Sequence, residues 1–506
     1  MRDDRVERGD WQTPEKFALR CCRIIQNYMS FEPHFVLEPC CGTGNFIRAS
    51  RKIFPSTPVL GMEINSEYVL SSQKRFANDD KVTIRHGDCL HDNNWIEPLV
   101  ADSTLVLGNP PWVTNSTLSV INSTNIPNKI NFKGLRGIDA LTGASNFDIS
   151  EWIILHYLKK IYKSKSMLAM LCKTSVARNV CKEISKWNIV CNCLLVSFDS
   201  KDVFDVSVSA CLFICDLRAE KIAIQECDID DINNRTELLY LNNNLQKKIS
   251  SNLLSLSGKS QLIWRQGVKH DCSKIMELKK TPAGLTNKLG EIVDIEKEWL
   301  FPLIKSSGSR NAIIKNSGLA VIVTQKKLGE DTSNLKLVAP NLWGYLNKHS
   351  SLLDSRKSSI YKNSPRFAMF GIGEYSFSPY KVGISGFYKE PMFSIAYGNK
   401  AFMYDDTCYF LSFENYREAM AMMLLLNSTV VQDFYRAIAF IDQKRPFSKK
   451  VLSQLDLVEA LKLVGVEGLN ETAKALEINF MATEADIRSL MVLMGANQVT
   501  IEQLMG

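Results

Sequence analysis

Short apolar segments alternate with helix-forming segments along the first half of the chain, and this alternation restricts the fold more than any other feature. Four apolar segments cover residues 35–37, 59–62, 82–85 and 104–107, and three more follow at 167–171, 190–198 and 208–214. Repeated strand–helix units require right-handed crossovers between the strands. The pattern therefore predicts an α/β fold with a mostly parallel, doubly wound sheet.

Polar residues and glycines end these segments, and in such a sheet ligands bind beyond the carboxyl ends of the strands. The first segment ends in Glu38 and a turn with Gly42 and Gly44, where backbone N–H groups could approach a ligand. The second ends in Glu63, a carboxylate suited to ribose hydroxyls, and the third in Asp88, suited to an adenine amino group. Each has a structural alternative, a tight turn or a solvated strand end. Together they favour a pocket for an adenosine-containing ligand.

Asn109-Pro110-Pro111-Trp112 follows the fourth segment and is the sharpest chemical signal in the chain. Two consecutive prolines remove two N–H donors, which leaves the Asn109 side-chain oxygen and the Pro110 carbonyl as acceptors. Such a pair is suited to both hydrogens of an exocyclic amine, and Trp112 could stack on the ring that carries the amine. A proline-rich turn with a packed tryptophan is the structural alternative.

These segments and residues 9–14 occur in the order seen in gamma-class DNA adenine-N6 methyltransferases, which the chain resembles over residues 9–216. The resemblance implies a Rossmann-like domain that uses S-adenosylmethionine. It implies a target-base site formed by Asn109, Pro110 and Trp112, with Phe204 as a second aromatic facing a flipped base. It also implies that the residues binding the cofactor are Thr13, Glu38, Cys40, Gly42, Gly44, Glu63, Ile64, Asp88, Cys89 and Pro111.

Charge is concentrated in one region of the 506-residue chain, whose total is only +7. Residues 1–250 carry 30 Lys and Arg against 29 Asp and Glu, residues 251–450 carry 28 against 17, and residues 451–506 carry 3 against 8. The cysteines also fall mainly before residue 230. These shifts predict a catalytic domain over 1–235, a mixed α/β target-recognition domain over 236–450, and a small helical C-terminal segment over 451–506.

The basic region interleaves Lys and Arg with aromatic, Gly and Pro residues. Cations in such a region would contact DNA phosphates and position the duplex, while a few polar side chains read the bases. For any single lysine, a solvated surface position is the structural alternative. The predicted DNA contacts are Arg265, Lys269, Lys305, Arg366, Tyr380, Lys381, Lys444 and Arg445.

The sequence therefore predicts a site-specific DNA adenine-N6 methyltransferase from a bacterial restriction-modification system, with duplex DNA and a cognate restriction endonuclease as partners. Two alternatives stay open: methylation of another amino or amide group, in a protein glutamine or an RNA adenine, and a non-catalytic DNA-binding specificity subunit. No apolar run long enough to span a membrane occurs. The cysteines lack metal-ligand spacing, so we expect reduced thiols, no metal, and a cytoplasmic, nucleoid-associated protein.

Overall fold

The chain is described from a computed structural model, which covers residues 11–29, 32–89, 103–113, 148–241, 244–308 and 311–496. Backbone contacts divide it into two compact units, Met1–Lys248 and Ile249–Gly506. Helices and strands are numbered below in chain order through both units.

The first unit alternates strands and helices, as the apolar segments predict. Its helices are α1 (Glu15–Tyr28), α2 (Asn45–Ile53), α3 (Ser66–Arg75), α4 (Ile149–Ile161), α5 (Thr174–Lys186) and α6 (Ser200–Phe204). Its strands are β1 (Phe35–Glu38), β2 (Val59–Glu63), β3 (Val82–His86), β4 (Thr104–Gly108), β5 (Met167–Lys173), β6 (Asn192–Asp199), β7 (Ser209–Asp216), β8 (Ala223–Asp228), β9 (Asp231–Leu241) and β10 (Asn244–Lys247).

These ten strands form one sheet in the order β10-β9-β8-β6-β7-β5-β4-β1-β2-β3. Strands β1 to β5 are parallel to their neighbours among themselves, whereas β7 lies antiparallel between β5 and β6. Every residue of β2 and of β4 is buried, as expected for central strands of a sheet covered on both faces. The predicted doubly wound sheet is confirmed. Its strand order changes direction between β1 and β4, which is where ligands bind in open α/β sheets.

Strands β8 to β10 extend this sheet across the predicted domain boundary at residue 235. The antiparallel pairing of β9 with β10 continues to Lys247, and the unit ends at Lys248. The first half of β9 is polar and largely exposed, so its composition does not distinguish it from a linker. The boundary is therefore corrected from residue 235 to residue 248.

The second unit is mixed α/β and contains two five-stranded sheets, ordered β11-β20-β17-β18-β15 and β13-β12-β16-β14-β19. Their strands are β11 (Arg265–Gln266), β12 (Glu277–Thr281), β13 (Gly284–Thr286), β14 (Leu300–Ile304), β15 (Ile313–Ile314), β16 (Leu319–Ile322), β17 (Tyr380–Ser385), β18 (Ser394–Tyr397), β19 (Met403–Tyr404) and β20 (Cys408–Phe413). The helices are α7 (Ser251–Leu254), α8 (Ser273–Met276), α9 (Leu335–Val338), α10 (Pro340–Lys348), α11 (Ser350–Asp354), α12 (Tyr416–Asn427), α13 (Thr429–Ile438), α14 (Lys449–Leu452), α15 (Leu457–Ala475) and α16 (Glu484–Leu493). Short 3₁₀ turns cover Lys297–Trp299, Ser306–Gly308, Thr332–Asn334, Ser359–Tyr361 and Glu374–Ser376.

Residues 451–506 are mainly helical where the structure describes them, but they do not form a separate unit. Helices α15 and α16 pack against the buried helix α12 and share its apolar core. Arg417 of α12 pairs with the buried carboxylate of Asp486 in α16 at 2.7 Å. The predicted third domain is thus part of the second unit. Among the described helices, none is both long and apolar enough to cross a membrane.

Candidate active site

A pocket lies beyond the carboxyl ends of β1, β2, β3 and β4, at the point where the strand order changes direction. Parallel strands bring their carboxyl ends to one edge of the sheet, so residues distant in sequence meet there. Most of the residues predicted to bind the cofactor or the target line this pocket. They are Thr13, Glu38, Cys40, Gly42, Glu63, Ile64, Asp88, Cys89, Asn109 and Pro111.

The turn between β1 and α2 needs its two glycines for different reasons. Gly42 has a φ of 50°, and a Cβ at this position would lie 2.6 Å from the side-chain oxygen of Gln12. Gly44 has a φ of 78° and immediately precedes α2. Unlike Gly42, Gly44 is not among the residues that line the pocket. Its positive φ at the start of the helix favours glycine for a structural reason, and the predicted cofactor contact of Gly44 stays a prediction.

The Glu63 carboxylate is oriented by the backbone on both sides. Its Oε2 accepts a hydrogen bond from the Gly42 amide at 2.8 Å, and its Oε1 accepts one from the Asn65 amide at 2.8 Å. A carboxylate oxygen can accept more than one hydrogen bond, so this residue type is suited to ligand hydroxyls. The neighbouring Ile64 is 45% exposed and also lines the pocket, so an apolar surface lies beside the acceptors.

Glu38 and Thr13 bring polar atoms into the pocket wall that no described group satisfies. Glu38 is only 2% exposed, and its Oε2 has no hydrogen-bond partner. Burial, followed by the charge of Glu63, raises the pKa of the Glu38 carboxyl well above its ordinary value. The Thr13 hydroxyl is likewise buried without a partner. Because buried polar groups are almost always hydrogen-bonded in folded proteins, these atoms indicate a ligand with donors.

Two cysteines from different strand ends meet on the same wall. The sulfurs of Cys40 and Cys89 are 3.3 Å apart, and Asp88 lines the pocket beside them. The contact with Cys89, followed by burial, raises the pKa of the Cys40 thiol well above its ordinary value. A protonated thiol is a weak donor and a small apolar surface, which suits packing more than nucleophilic chemistry.

Asn109 follows the end of β4, and the two polar atoms of its side chain differ in their hydrogen bonding. Its amide nitrogen donates to the Trp11 carbonyl at 2.7 Å, which fixes the orientation of the side chain. Its Oδ1 is buried and has no partner among the described residues. Asn109 lines the pocket and its oriented Oδ1 is an unsatisfied acceptor, while contact of this atom with a target amine stays a prediction.

The two aromatic residues predicted to face the target base contact each other. The rings of Trp112 and Phe204 meet edge to face with centroids 5.3 Å apart, and these residues are 6% and 8% exposed. The Trp112 indole nitrogen donates to the Leu171 carbonyl at 3.3 Å. Pro110 is buried beside them. The structure thus brings Trp112 and Phe204 together, while contact of either ring with a base stays a prediction.

Similarity to a known protein identifies the family of this chain. The Type II methyltransferase M.NspV of Nostoc sp. (strain ATCC 29411 / PCC 7524) is 41% identical over 474 residues, which are 91% of this chain and 98% of the relative. The chain belongs to the Type II methyltransferases. Members of this family are the DNA-methylating enzymes of restriction-modification systems.

A second Type II methyltransferase, M.CvrRI of Paramecium bursaria Chlorella virus XZ-6E, is 32% identical over 95 residues, 19% of this chain and 22% of the relative. No family model matches the chain. The solved structure of the 23S rRNA methyltransferase ErmE is 13% identical and has a TM-score of 0.29, with 42% of this chain and 71% of that chain covered. The Rossmann-like methyltransferase fold is therefore assigned from the sheet itself and from family membership.

The second unit of this Type II methyltransferase places seven of the eight predicted DNA contacts at least partly at the surface. Several of their charges already have intramolecular partners. Arg366 pairs with Asp354 at 2.7 Å, Lys305 pairs with Glu277 at 2.8 Å, and Lys269 lies 3.5 Å from Asp271. Arg445 donates to the Asp406 carbonyl, and Arg265 lies over the Tyr375 ring. Tyr380 packs against Tyr397 and Tyr416. Lys444 is exposed.

Lys381 is a correction to the predicted DNA contacts. Its side chain is 1% exposed on the central strand β17, and its ammonium donates to the Ser378 carbonyl at 2.9 Å. Burial lowers its pKa to about 7, with the Glu414 carboxylate acting in the opposite direction. An ammonium enclosed in this way cannot contact a phosphate. Strand β17 is buried on both faces from Lys381 to Ser385 because it is the central strand of its sheet, and the sequence alone did not show this position.

The pocket also has lining residues that the sequence did not identify. Gln12 adjoins the predicted Thr13, and Asn65 and Tyr68 follow the predicted Ile64. Their closeness in sequence to predicted residues is the signal that could have identified them. Ile153 comes from α4, far along the chain, and only the folded sheet brings it to the pocket. Trp11, Pro39, Cys41, Asn45, Phe46 and Gly87 complete the lining.

Proposed function

We propose that the chain methylates the N6 amine of an adenine in duplex DNA, with S-adenosylmethionine as the methyl donor. The observation that carries this proposal is the buried, unpartnered Oδ1 of Asn109 at the end of β4. An acceptor fixed in this way suits a ligand with an N–H group. It does not suit an oxygen that has no hydrogen to donate, such as a carbonyl oxygen. Family membership supplies the class of reaction, and the Asn109 environment favours an amine as its target.

The pocket fits S-adenosylmethionine by its donor and acceptor chemistry. When bound, this cofactor supplies an electrophilic methyl group on a sulfonium. Glu63 would accept from the ribose hydroxyls, Ile64 would pack on the adenine ring, and Asp88 with Cys89 would contact the adenine edge. The unpartnered atoms of Glu38 and Thr13 would accept and donate at the polar methionine portion. Burial and the charge of Glu63 raise the pKa of the Glu38 carboxyl, and a nearby cationic ligand would act in the opposite direction and favour the ionised form.

Asn109 would hold the target amine and raise its reactivity. An amine that donates to Oδ1 and to the Pro110 carbonyl keeps its lone pair directed away from both acceptors. The remaining requirements are proximity and alignment with the methyl group, which a rigid strand end provides. Since the N6 of a paired adenine is inside the duplex, we propose that the target base is flipped out, with Trp112 and Phe204 nearest to its ring.

Substitution of Asn109 tests the proposal directly. For Asn109→Ala we expect kcat for duplex DNA to fall about 10²–10³-fold, the loss typical of one positioned polar group. The cofactor Kd, measured by calorimetry, should change by less than about threefold because Asn109 contributes mainly to amine binding. Asn233→Ala, on the exposed face of β9, is the matched control and should retain full activity.

The product identifies the target. Methyl transfer from labelled cofactor to duplex DNA, followed by digestion to nucleosides, should place the label in N6-methyl-2′-deoxyadenosine. Label in a methylated cytosine would contradict the adenine assignment. Label in RNA or in a protein glutamine, with none in DNA, would favour one of the other acceptors. Cofactor binding without transfer to any acceptor would favour a non-catalytic specificity subunit.

The second unit is proposed to bind the DNA target. Its net charge is +6, with 31 Lys and Arg against 25 Asp and Glu over residues 249–506, and Lys444 is exposed. A modest positive charge supports phosphate contacts without specifying the sequence that is recognised. We also propose that a restriction endonuclease of the same specificity accompanies the chain in a bacterial cytoplasm, since modification protects DNA from such an enzyme.

A further inference from the structure

Three buried cysteines come together at the end of the first unit's sheet that is opposite the pocket. Cys191 immediately precedes β6, Cys193 lies within it, and Cys215 lies directly across from Cys193 on the antiparallel strand β7. All three are at most 1% exposed. Their sulfurs lie within 4.8 Å of one another, and those of Cys191 and Cys193 are 3.7 Å apart.

The spacing of these sulfurs matches the geometry of a tetrahedral thiolate site. A Zn–S bond of about 2.3 Å places two ligands of a tetrahedral ion roughly 3.8 Å apart. The Cys191–Cys193 distance is already at this value, and the other sulfurs are within about an ångström of it. In the described part of the chain, no other three ligand groups converge in this way.

Sheet register explains why this cluster has no metal-ligand pattern in the sequence. Cys191 and Cys193 are two residues apart and therefore point to the same face of β6. Cys215 is distant in sequence, and only the β6–β7 hairpin pairing brings it beside Cys193. The pair of Cys172 and Cys211, which are also partners across neighbouring strands, offers a built-in comparison. It supplies two sulfurs, too few for a structural site.

We propose that Cys191, Cys193 and Cys215 form a structural binding site for a thiophilic divalent ion, Zn²⁺. Binding would replace three S–H bonds with three Zn–S bonds and release three protons to solvent, with no change in oxidation state. The cluster lies at the amino ends of β5 and β6, away from the pocket, so the ion would stabilise the sheet and take no part in methyl transfer.

Metal analysis of the intact chain is the first test. The full-length protein, purified from zinc-supplemented cells without a metal-affinity tag, should contain about one zinc per chain. Removal of the zinc with a chelator should lower Tm, and adding Zn²⁺ should restore it. Co²⁺ added to the stripped, folded chain should produce a thiolate-to-metal charge-transfer band in the near ultraviolet. A native chain with no zinc, whose stripped form gives no such band, would overturn the proposal.

Cysteine variants locate the site. Cys191→Ser combined with Cys215→Ser should lose both the zinc and the Co²⁺ band, whereas Cys211→Ser on the same strand β7 should keep them. If the double variant does not fold, the Co²⁺ titration of the native chain still decides whether a thiolate site exists. Equal loss of metal in Cys211→Ser would place the ion elsewhere and contradict the assignment. Because the readouts are metal content and stability, a negative result is independent of the proposed methylation.

Discussion

Buried polar groups at the pocket of the first unit differ in their bonding from the buried carboxylate of Glu277 in the second unit. In the first, Thr13, Glu38 and Asn109 each leave a polar atom without a described partner, and all three line one pocket. In the second, the buried carboxylate of Glu277 is held by both Lys288 and Lys305. Unsatisfied buried atoms are costly unless a ligand satisfies them, whereas paired charges stabilise the protein's own structure. At these two places, unsatisfied polar atoms accompany a pocket and paired charges accompany a structural contact, a distinction that net charge alone does not make.

Among the variants that test this comparison, removal of the Glu63 carboxylate should have the largest effect, a loss of cofactor affinity. In Glu63→Ala, the ribose acceptors disappear and two backbone amides lose their partner, so we expect the cofactor Kd to rise about 100-fold. Isothermal titration with S-adenosylmethionine measures this change. Glu67→Ala, an exposed carboxylate one turn along α3, is the matched control. Equal affinities for the two variants would mean that Glu63 is structural only.

Gly267→Ala tests how tightly the second unit is packed around its backbone. A Cβ there would lie 2.1 Å from the Asp405 carbonyl and 2.2 Å from the Tyr404 carbonyl. Backbone atoms cannot move aside easily, so we expect a loss of at least about 1–3 kcal/mol in the free energy of unfolding. Gly344→Ala, in the middle of α10 with nothing nearby, should instead stabilise by about 0.5–1 kcal/mol. Urea unfolding monitored by fluorescence would distinguish the two, and unchanged stability in Gly267→Ala would contradict the packing described here.

Much of the first unit could be predicted from its sequence because its signals are local. The apolar segments at 35–37, 59–62 and 104–107 became β1, β2 and β4, and the residues that end them line the pocket. Ile153 and the Cys191–Cys215 cluster depend on contacts between distant segments, which periodicity does not report. In the second unit, composition suggested DNA contacts, but burial of Lys381 and the partners of Lys305 and Arg366 depend on tertiary packing.

The buried ammonium of Lys381 should make stability depend on pH. Its pKa is about 7 in the folded state and about 10.5 when unfolded, so the unfolded chain binds more protons between these values. The free energy of unfolding should therefore rise with pH across this window, with a slope of up to about 1.4 kcal/mol per pH unit. Below pH 7 both states are protonated, and this dependence ends.

Lys381→Met removes that titration and isolates its effect. The advantage in stability of the variant over the native chain should be greatest near pH 7 and shrink towards pH 10. Denaturant unfolding at several pH values measures it. DNA affinity and its dependence on salt should stay unchanged, since the side chain is enclosed. A weaker salt dependence in Lys381→Met would show that the lysine reaches DNA after all.

Lys444→Ala should give the smallest effect of these variants, a change in DNA binding. It removes an exposed lysine, whereas Lys381→Met removes a buried one. Loss of one phosphate contact should weaken DNA binding a few-fold for all sequences and reduce the slope of log K against log salt by about 1. Fluorescence anisotropy at several salt concentrations measures both. Lys474→Ala, an exposed lysine in α15, is the control and should leave the slope unchanged. Identical slopes for both variants would remove Lys444 from the proposed DNA surface.

The distribution of cysteines has a practical consequence. All fourteen are unpaired, and Cys40 alone is not fully buried. Cys40 is therefore the cysteine that a thiol-specific alkylating reagent can best reach in the native protein, although its raised pKa leaves little thiolate and makes the reaction slow. Cys40 also lies on the pocket wall. The rate at which Cys40 is alkylated would serve as a footprint of pocket occupancy, readable by mass spectrometry on the unmodified natural sequence without an engineered probe.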